Sequence, residues 1–240
     1  ALFDMCTSDD FYYYNYPALS PSSNWIKNNF KNLVLLINFG VLAIIINFSI
    51  TYFFRSYSIL TNLIIISSLF LILHTSLDFI NFFRKKSTFD LSRIVSHLGF
   101  GLLIFFIGIN YNFSTDKDFN LKKGEKKIFE NYIVDFKSLK IEERKNYKAI
   151  VGMFKITNIK KSLNETLLPE IRIYSNPETL TYEASIVTKL NHDLYLTMSN
   201  INRSEFYNIK FQKKPFMIWI WLSAIMISLG GFIRIFKNEN

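Results

Sequence analysis

The stretch IVSHLGFGLLIFFIGINY, residues 94–111, is an apolar run that contains one histidine, His97. A helix needs about 20 mostly apolar residues to cross a hydrocarbon core about 30 Å thick, and this run nearly reaches that length. Three further apolar runs have similar or greater length, and they occupy residues 33–54, 58–82 and 215–233. The sequence therefore predicts a membrane protein with about four transmembrane α-helices.

The residues between the third and fourth runs, 112–214, are polar and charged and contain no spanning run. Short segments within them alternate apolar and polar residues, which is typical of half-buried strands. These segments are 146–156, 170–175, 182–190, 193–198 and 206–211. We expect an all-β domain of about six strands, a sandwich or a partly open barrel, to which residues 122–139 could add one or two strands.

Four regions are thus predicted. They are an irregular N-terminal arm (1–31), three transmembrane helices (32–111), an extramembrane β domain (112–214), and a C-terminal transmembrane helix with a short inner tail (215–240). Eight lysines and arginines flank the runs on the side of the termini, whereas the turn between the first two runs carries only Arg55. Because basic residues mark the inner side, both termini should lie inside and the β domain should face outward.

Composition excludes several classes of protein. One cysteine, Cys6, allows no internal disulfide, and three histidines without a Cys/His cluster argue against structural zinc. The formal charge of +9 lies mainly in the predicted outward domain, so nucleic acid is not an expected partner. The chain is rich in Phe, Tyr, Ile, Asn and Lys and has only 8 Gly and 5 Pro, a bias that suggests an AT-rich genome such as that of an organelle.

Three ionisable residues inside the predicted spans are candidates for a site: His74, Asp78 and His97. A charge at the centre of a span costs roughly 2.5 to 3.5 kcal/mol, so such residues need a partner or a function. His74 and His97 should both lie roughly 10 Å inside the inner boundary, because a helix rises 1.5 Å per residue. The two rings could therefore face each other.

Two interpretations of His97 remain open. Gly101 lies one turn above His97, and its missing side chain could leave room for the flat ring of a porphyrin whose iron His97 binds. Alternatively, Gly101 and Gly108 allow a neighbouring helix to approach closely while His97 hydrogen-bonds a carbonyl. Likewise, Asp78 could orient His74 for iron, or the two could simply satisfy each other in lipid. His192, in the β domain, is expected to be a surface residue.

Six motifs along residues 92–234 carry a family resemblance. They are Ser96-His97-Leu98-Gly99, Asn146-Tyr147, Leu168-Pro169-Glu170 with Arg172 and Tyr174, Thr179 before Glu183, Asp193-Leu194-Tyr195, and Lys214-Pro215 through Trp219-Ile220-Trp221 to Gly230-Gly231. In order and spacing they resemble the C-terminal portion of the CcmF-type cytochrome c haem lyases of the multi-subunit cytochrome c maturation pathway.

The resemblance implies that His97 is an axial ligand of a membrane-held b-type haem, beside which Gly101 would lie on the first of the two interpretations above. It also implies that the chain supports the covalent attachment of haem to apocytochrome c. The family's second haem ligand and its Trp-rich haem-presenting segment have no counterpart here, and His74 would replace that ligand only in a changed architecture. No catalytic residue is therefore assigned to this chain.

The implied partners are the rest of the lyase on another chain, other maturation subunits, a haem chaperone, apocytochrome c and membrane lipid. The implied location is the mitochondrial inner membrane with the β domain in the intermembrane space, or a bacterial plasma membrane with that domain in the periplasm. The alternative function is that of a non-catalytic structural subunit of a large membrane complex, derived from such a lyase.

Overall fold

The computed structural model describes residues 30–54, 58–85, 91–160, 163–200 and 205–237. The described residues form two compact units, one made of those up to Asn112 and from Trp219 onward and the other of those within Phe113–Ile218, and each is described by itself. Most of the predicted N-terminal arm, residues 1–29, and the end of the tail, 238–240, lie outside the described residues.

The described residues include four helices that are long and apolar enough to cross a membrane. They are α1 (Phe30–Phe54), α2 (Ile59–Lys85), α3 (Leu91–Phe113) and α4 (Met217–Lys237). The predicted set of four spans is confirmed. The fourth helix begins two residues later than the apolar run, because Pro215 ends a β-strand and Phe216 adopts a positive φ of 56° before the helix starts.

Several hydroxyl side chains in the helices are satisfied within their own helix. Thr51 donates to the carbonyl of Asn47 at 3.0 Å, and Ser223 donates to the carbonyl of Trp219 at 2.7 Å. Such bonds to a carbonyl four residues earlier give the hydroxyl a partner where no water is present. This explains how Ser and Thr are accommodated in helices that are otherwise apolar.

The second unit is an antiparallel β-sandwich of two sheets. Its strands are β1 (Thr115–Leu121), β2 (Lys126–Phe129), β3 (Tyr132–Glu143), β4 (Tyr147–Asn158), β5 (Leu163–Leu167), β6 (Glu170–Ser175), β7 (Glu178–Glu183), β8 (Ser185–Thr188), β9 (His192–Asn200) and β10 (Tyr207–Pro215). The smaller sheet has the order β1-β10-β9-β8, and the larger has β2-β3-β4-β6-β7, with β5 also paired to β4.

The predicted all-β domain is confirmed, but its strand number is corrected. The described residues contain ten strands rather than about six. Residues 122–139 supply β2 and part of β3, while 182–190 contain the end of β7 and all of β8. Strands β1 and β5 were not predicted, because their sequences TDKDFNL and LNETL are short and mostly polar.

The core of the sandwich is formed by apolar side chains from both sheets. Phe136 on β3 stacks on Phe154 of β4 with ring centroids 4.3 Å apart. The register of β3 against β4 shifts between Phe136 and Ser138, which marks a β-bulge. Because the bulge adds one residue, Phe136 and Leu139 both contribute to the core although they are three residues apart.

Candidate functional site

Helix α3 presents its glycines to two different helices. Gly101 faces α2, where a Cβ atom added to it would lie 2.9 Å from Cγ1 of Ile72, and Gly108 faces Ile65 of α2 in the same way at 3.1 Å. Gly99 faces α4, where an added Cβ would lie 3.0 Å from the backbone nitrogen of Ile227. Two residues subtend roughly 200° around a helix, so α2 and α4 pack on nearly opposite sides of α3.

The contact between α3 and α4 is also polar. The Oγ of Ser92 donates to the backbone carbonyl of Gly230 at 2.6 Å, and both the donor and the bond are buried. Nearer the other end of the same pair of helices, the ring of Phe106 stacks on Trp219 with a centroid distance of 5.8 Å. Helix α3 is therefore fixed against α4 at two levels.

His97 lies between the packed and the exposed sides of α3. It is roughly 40° from Gly101 around the helix axis, and Phe100 lies roughly 60° away on its other side. The side chain of His97 is half-buried, whereas Phe100 is 49% exposed. Within the described part of the chain, no hydrogen bond is made by the ring of His97. The imidazole is thus held on a rigid helix with part of its surface open.

His74 has a different environment. Its side chain is 1% exposed, and the rings of Phe39 and Phe70 lie with centroids 6.3 Å from its own. Nδ1 of His74 is 3.9 Å from Oδ2 of Asp78, which is too long for a hydrogen bond and is an ion-pair distance only when the ring is protonated. The hydrogen bond by which Asp78 would orient His74 is therefore not formed, and the role of His74 as an iron ligand stays a prediction.

The ionisable side chains of α2 and α3 form one electrostatic group. His74 lies within electrostatic range of His97, and that the two rings face each other stays a prediction. Arg93 lies within the electrostatic range of both Asp78 and His97. Arg93 precedes His97 by four residues, so both lie on one face of α3. Arg93 belongs to the site as its positive charge.

The side chains of the candidate site meet only part of what binding of a haem requires. Among the described residues, no group of three or more His, Cys, Asp or Glu side chains could hold a metal ion, so a bare metal centre is not formed there. A single half-buried imidazole could supply one axial ligand to a haem iron. The face of Gly101, however, is filled by Ile72. The structure favours close helix packing as the role of Gly101, and the fit to haem rests on His97.

His192 is not a plain surface residue, which corrects that expectation. It is half-buried at the start of β9, with Nε2 3.1 Å from the hydroxyl of Tyr132 and Nδ1 2.8 Å from Oδ1 of Asn191. The pairing of its strand with β10 places it opposite Pro215. Burial also raises the pKa of Tyr132. The ring of His192 therefore helps to hold β9 against β3 and is a structural residue of the sandwich.

Asp193 is the buried carboxylate of the same strand. Thr188 and Tyr195 donate to its Oδ2 at 3.3 and 3.5 Å, while its Oδ1 has no hydrogen-bond partner within the described residues. Burial raises the pKa of Asp193, and burial followed by the charge of Asp193 raises that of Tyr195. The Asp193-Leu194-Tyr195 motif thus places a poorly solvated carboxyl beside a phenol.

The side chains around Arg172 lie together on the larger sheet. Arg172 donates from Nε to Glu170 at 2.8 Å, and its Nη1 lies 3.7 Å from Glu183. Its guanidinium is 5.1 Å from the ring centre of Tyr147, which in turn lies 5.2 Å from the ring of Tyr174. The hydrogen bond to Glu170 raises the pKa of Arg172. Residues distant in sequence therefore form one network across β4, β6 and β7.

Comparison with known proteins shows which proteins this chain resembles. Residues 112–215 match the family described as CcmF C-terminal beta-sandwich. The chain is 29% identical over 157 residues to cytochrome c-type biogenesis protein CcmF of Haemophilus influenzae, covering 65% of this chain and 24% of that protein. It is 28% identical over 153 residues to the protein of the same name in Escherichia coli, covering 63% and 23%.

A plant relative and a solved structure extend the comparison. An uncharacterized mitochondrial protein, ymf2, of Marchantia polymorpha is 38% identical over 74 residues, or 30% of this chain and 23% of that protein. A solved structure titled cytochrome c heme lyase CcmF superposes with a TM-score of 0.70 at 13% identity, covering 86% of this chain and 35% of that one, which supports the fold. The chain spans about a quarter of the length of the curated relatives it matches.

Proposed function

We propose that this chain, whose sequence and fold are those of a C-terminal CcmF-type portion, acts as the C-terminal subunit or portion of a cytochrome c haem lyase. The observation that carries the proposal is the half-buried imidazole of His97 on the helix that precedes the matched β-sandwich in the chain. The similarity of 63–65% of the chain to cytochrome c-type biogenesis proteins supports a role in cytochrome c maturation.

In this proposal His97 is one axial ligand of a b-type haem in the membrane. When bound, the haem supplies one-electron chemistry that helps to keep the incoming haem iron reduced for attachment. His97 offers a ring nitrogen from a helix whose orientation is fixed by α2 and α4. Arg93 places a positive charge within electrostatic range of His97, and a charge near an axial ligand tunes a haem's potential.

The remaining steps belong to partners. The second axial ligand and the Trp-rich segment that presents haem to apocytochrome c are assigned to the rest of the lyase, on another chain. A haem chaperone and other maturation subunits complete the system. The relatives include bacterial proteins and one mitochondrial protein. With the AT-rich sequence bias, they support the mitochondrial inner membrane with the β domain in the intermembrane space, or else a bacterial plasma membrane with that domain in the periplasm.

The test is a reduced-minus-oxidised spectrum of the assembly purified with its natural partners. We expect a low-spin b-haem spectrum that is lost in His97→Ala and retained in His192→Ala. The second variant is the matched control because His192 is also a half-buried histidine but belongs to the β domain. An unchanged haem spectrum in His97→Ala would overturn the assignment of His97.

One observation favours a second candidate, a non-catalytic structural subunit derived from a lyase. Ile72 fills the face of Gly101 that a porphyrin could otherwise use, so helix packing alone accounts for that glycine. Such a subunit would hold no haem while its helices and sandwich contact other proteins. The same spectrum separates the two functions, because the unmodified assembly would then show no b-haem that depends on this chain.

A further inference from the structure

We infer that the contact of Gly230 on α4 with Ser92 and Ser96 on α3 is a packing lock that positions the ring of His97. The part of this inference that concerns iron rests on the proposed function. Its geometric part, that α4 sets where His97 lies, does not. Gly230 and the two serines are thus positioning residues, which act on the site only through His97.

The lock consists of a hydrogen bond and a close backbone approach. Ser92 donates its buried hydroxyl to the carbonyl of Gly230 at 2.6 Å. A Cβ atom on Gly230 would overlap Oγ of Ser96 and would lie 2.8 Å from the backbone nitrogen of Ser96 and 2.9 Å from the carbonyl oxygen of Ser92. Backbone atoms cannot move aside alone, so any side chain at position 230 must displace one helix from the other.

The lock lies at the level of His97. Ser96 precedes His97 by one residue, and an α-helix is rigid over so short a distance, since each residue adds only 1.5 Å and 100°. On the opposite side, Gly101 is held against Ile72 of α2. A displacement at Ser96 is therefore transmitted to His97 as a rotation or shift of the imidazole. Axial ligation depends on ring orientation, so the lock bears on how iron would be held.

The neighbouring glycine provides a matched control. A Cβ atom added to Gly231 has nothing within 4 Å among the described residues, so Gly231→Ala makes the same chemical change without the clash. Both substitutions replace glycine by alanine in the same turn of α4. A difference between the two variants reports the contact at Gly230 rather than a general effect of alanine on the helix.

The first readout needs no haem. In the full-length chain with Cys6→Ser and His97→Cys, the rate of maleimide labelling of the cysteine reports how exposed position 97 is. We expect Gly230→Ala to change this rate about threefold or more, the factor that an average interhelical hydrogen bond in a membrane contributes to a packing equilibrium. We expect Gly231→Ala to leave the rate unchanged. Equal labelling of the two variants would overturn the inference.

The second readout is made on the haem-loaded assembly with His97 intact. Gly230→Ala is expected to shift the haem midpoint potential or lower the haem occupancy, and Gly231→Ala to change neither. A shifted potential is not produced by loss of stability alone. If Gly230→Ala fails to fold, Ser92→Ala removes only the hydrogen bond and should change the labelling rate about threefold. An unchanged rate there also counts against the lock.

The two readouts separate the inference from the proposed function. A labelling difference together with an unmodified assembly that holds no b-haem supports the lock and overturns the haem assignment. A haem spectrum that depends on His97, with identical potentials and identical labelling in the two alanine variants, supports the haem assignment and overturns the lock.

Discussion

Gly101→Ala distinguishes the two interpretations of the glycine above His97. The added methyl would lie 2.9 Å from Cγ1 of Ile72 and 3.5 Å from the backbone nitrogen of that residue. Overfilling a packed contact costs about 1–3 kcal/mol. Alanine in place of glycine inside a helix recovers about 1 kcal/mol of helix propensity. The net change should be a loss of about 0–2 kcal/mol in the free energy of unfolding.

Gly40→Ala is the matched control for this change. Gly40 lies in α1, and nothing in the described residues comes within 4 Å of an added Cβ, so only the gain in propensity applies. The two variants should therefore differ by about 1–3 kcal/mol. Unfolding of the haem-free chain in mixed detergent micelles, followed by far-UV circular dichroism, measures this difference. The packing argument fails if the two variants are equally stable and only the haem affinity of Gly101→Ala falls.

Two further predictions concern the β domain. Phe154→Ala should lower the free energy of unfolding by about 3–5 kcal/mol, because its stacked ring is fully buried. Ile128→Ala should change it by no more than about 0.5 kcal/mol, because Ile128 is 70% exposed. Hydrogen exchange of the β4 amides measures both changes. Burial raises the pKa of Asp193 above its ordinary 3.8, so the folded domain loses stability as the pH rises from about 4 through that raised pKa. Asp193→Asn should therefore remove this loss in thermal unfolding. Asp135 has a lowered pKa, because hydrogen bonds from Lys126 and Lys137 together outweigh the effect of burial. Its ionised form therefore stabilises the folded domain, and Asp135→Asn should lower the stability at neutral pH.

The four spans could be predicted because lipid imposes a simple requirement on length and polarity. The strands near 146–156 and 170–175 were also predictable, since one side of each faces the core and the other faces solvent. Strand β1 escaped prediction because it is an edge strand of the smaller sheet and places mainly Phe119 and Leu121 against the core. Local alternation is weak where only one or two side chains are buried.

The candidate site was predictable in its residues but not in its surroundings. The rise per residue on separate helices predicts a similar depth for His74 and His97, and His74 lies within electrostatic range of His97. Periodicity also placed Gly101 and Gly108 on one stripe of α3, but a stripe does not specify what covers it. That Ile72 of α2 does so depends on the packing of two helices, which the sequence pattern of one helix does not contain.

The central claim is that the imidazole of His97 binds haem iron. It is tested most directly by removing the side chain and adding free imidazole in solution. His97→Gly in the purified assembly should lose the low-spin b-haem spectrum, and added imidazole should restore it by occupying the space of the missing side chain. Full retention of the low-spin spectrum in His97→Gly without imidazole would contradict the claim.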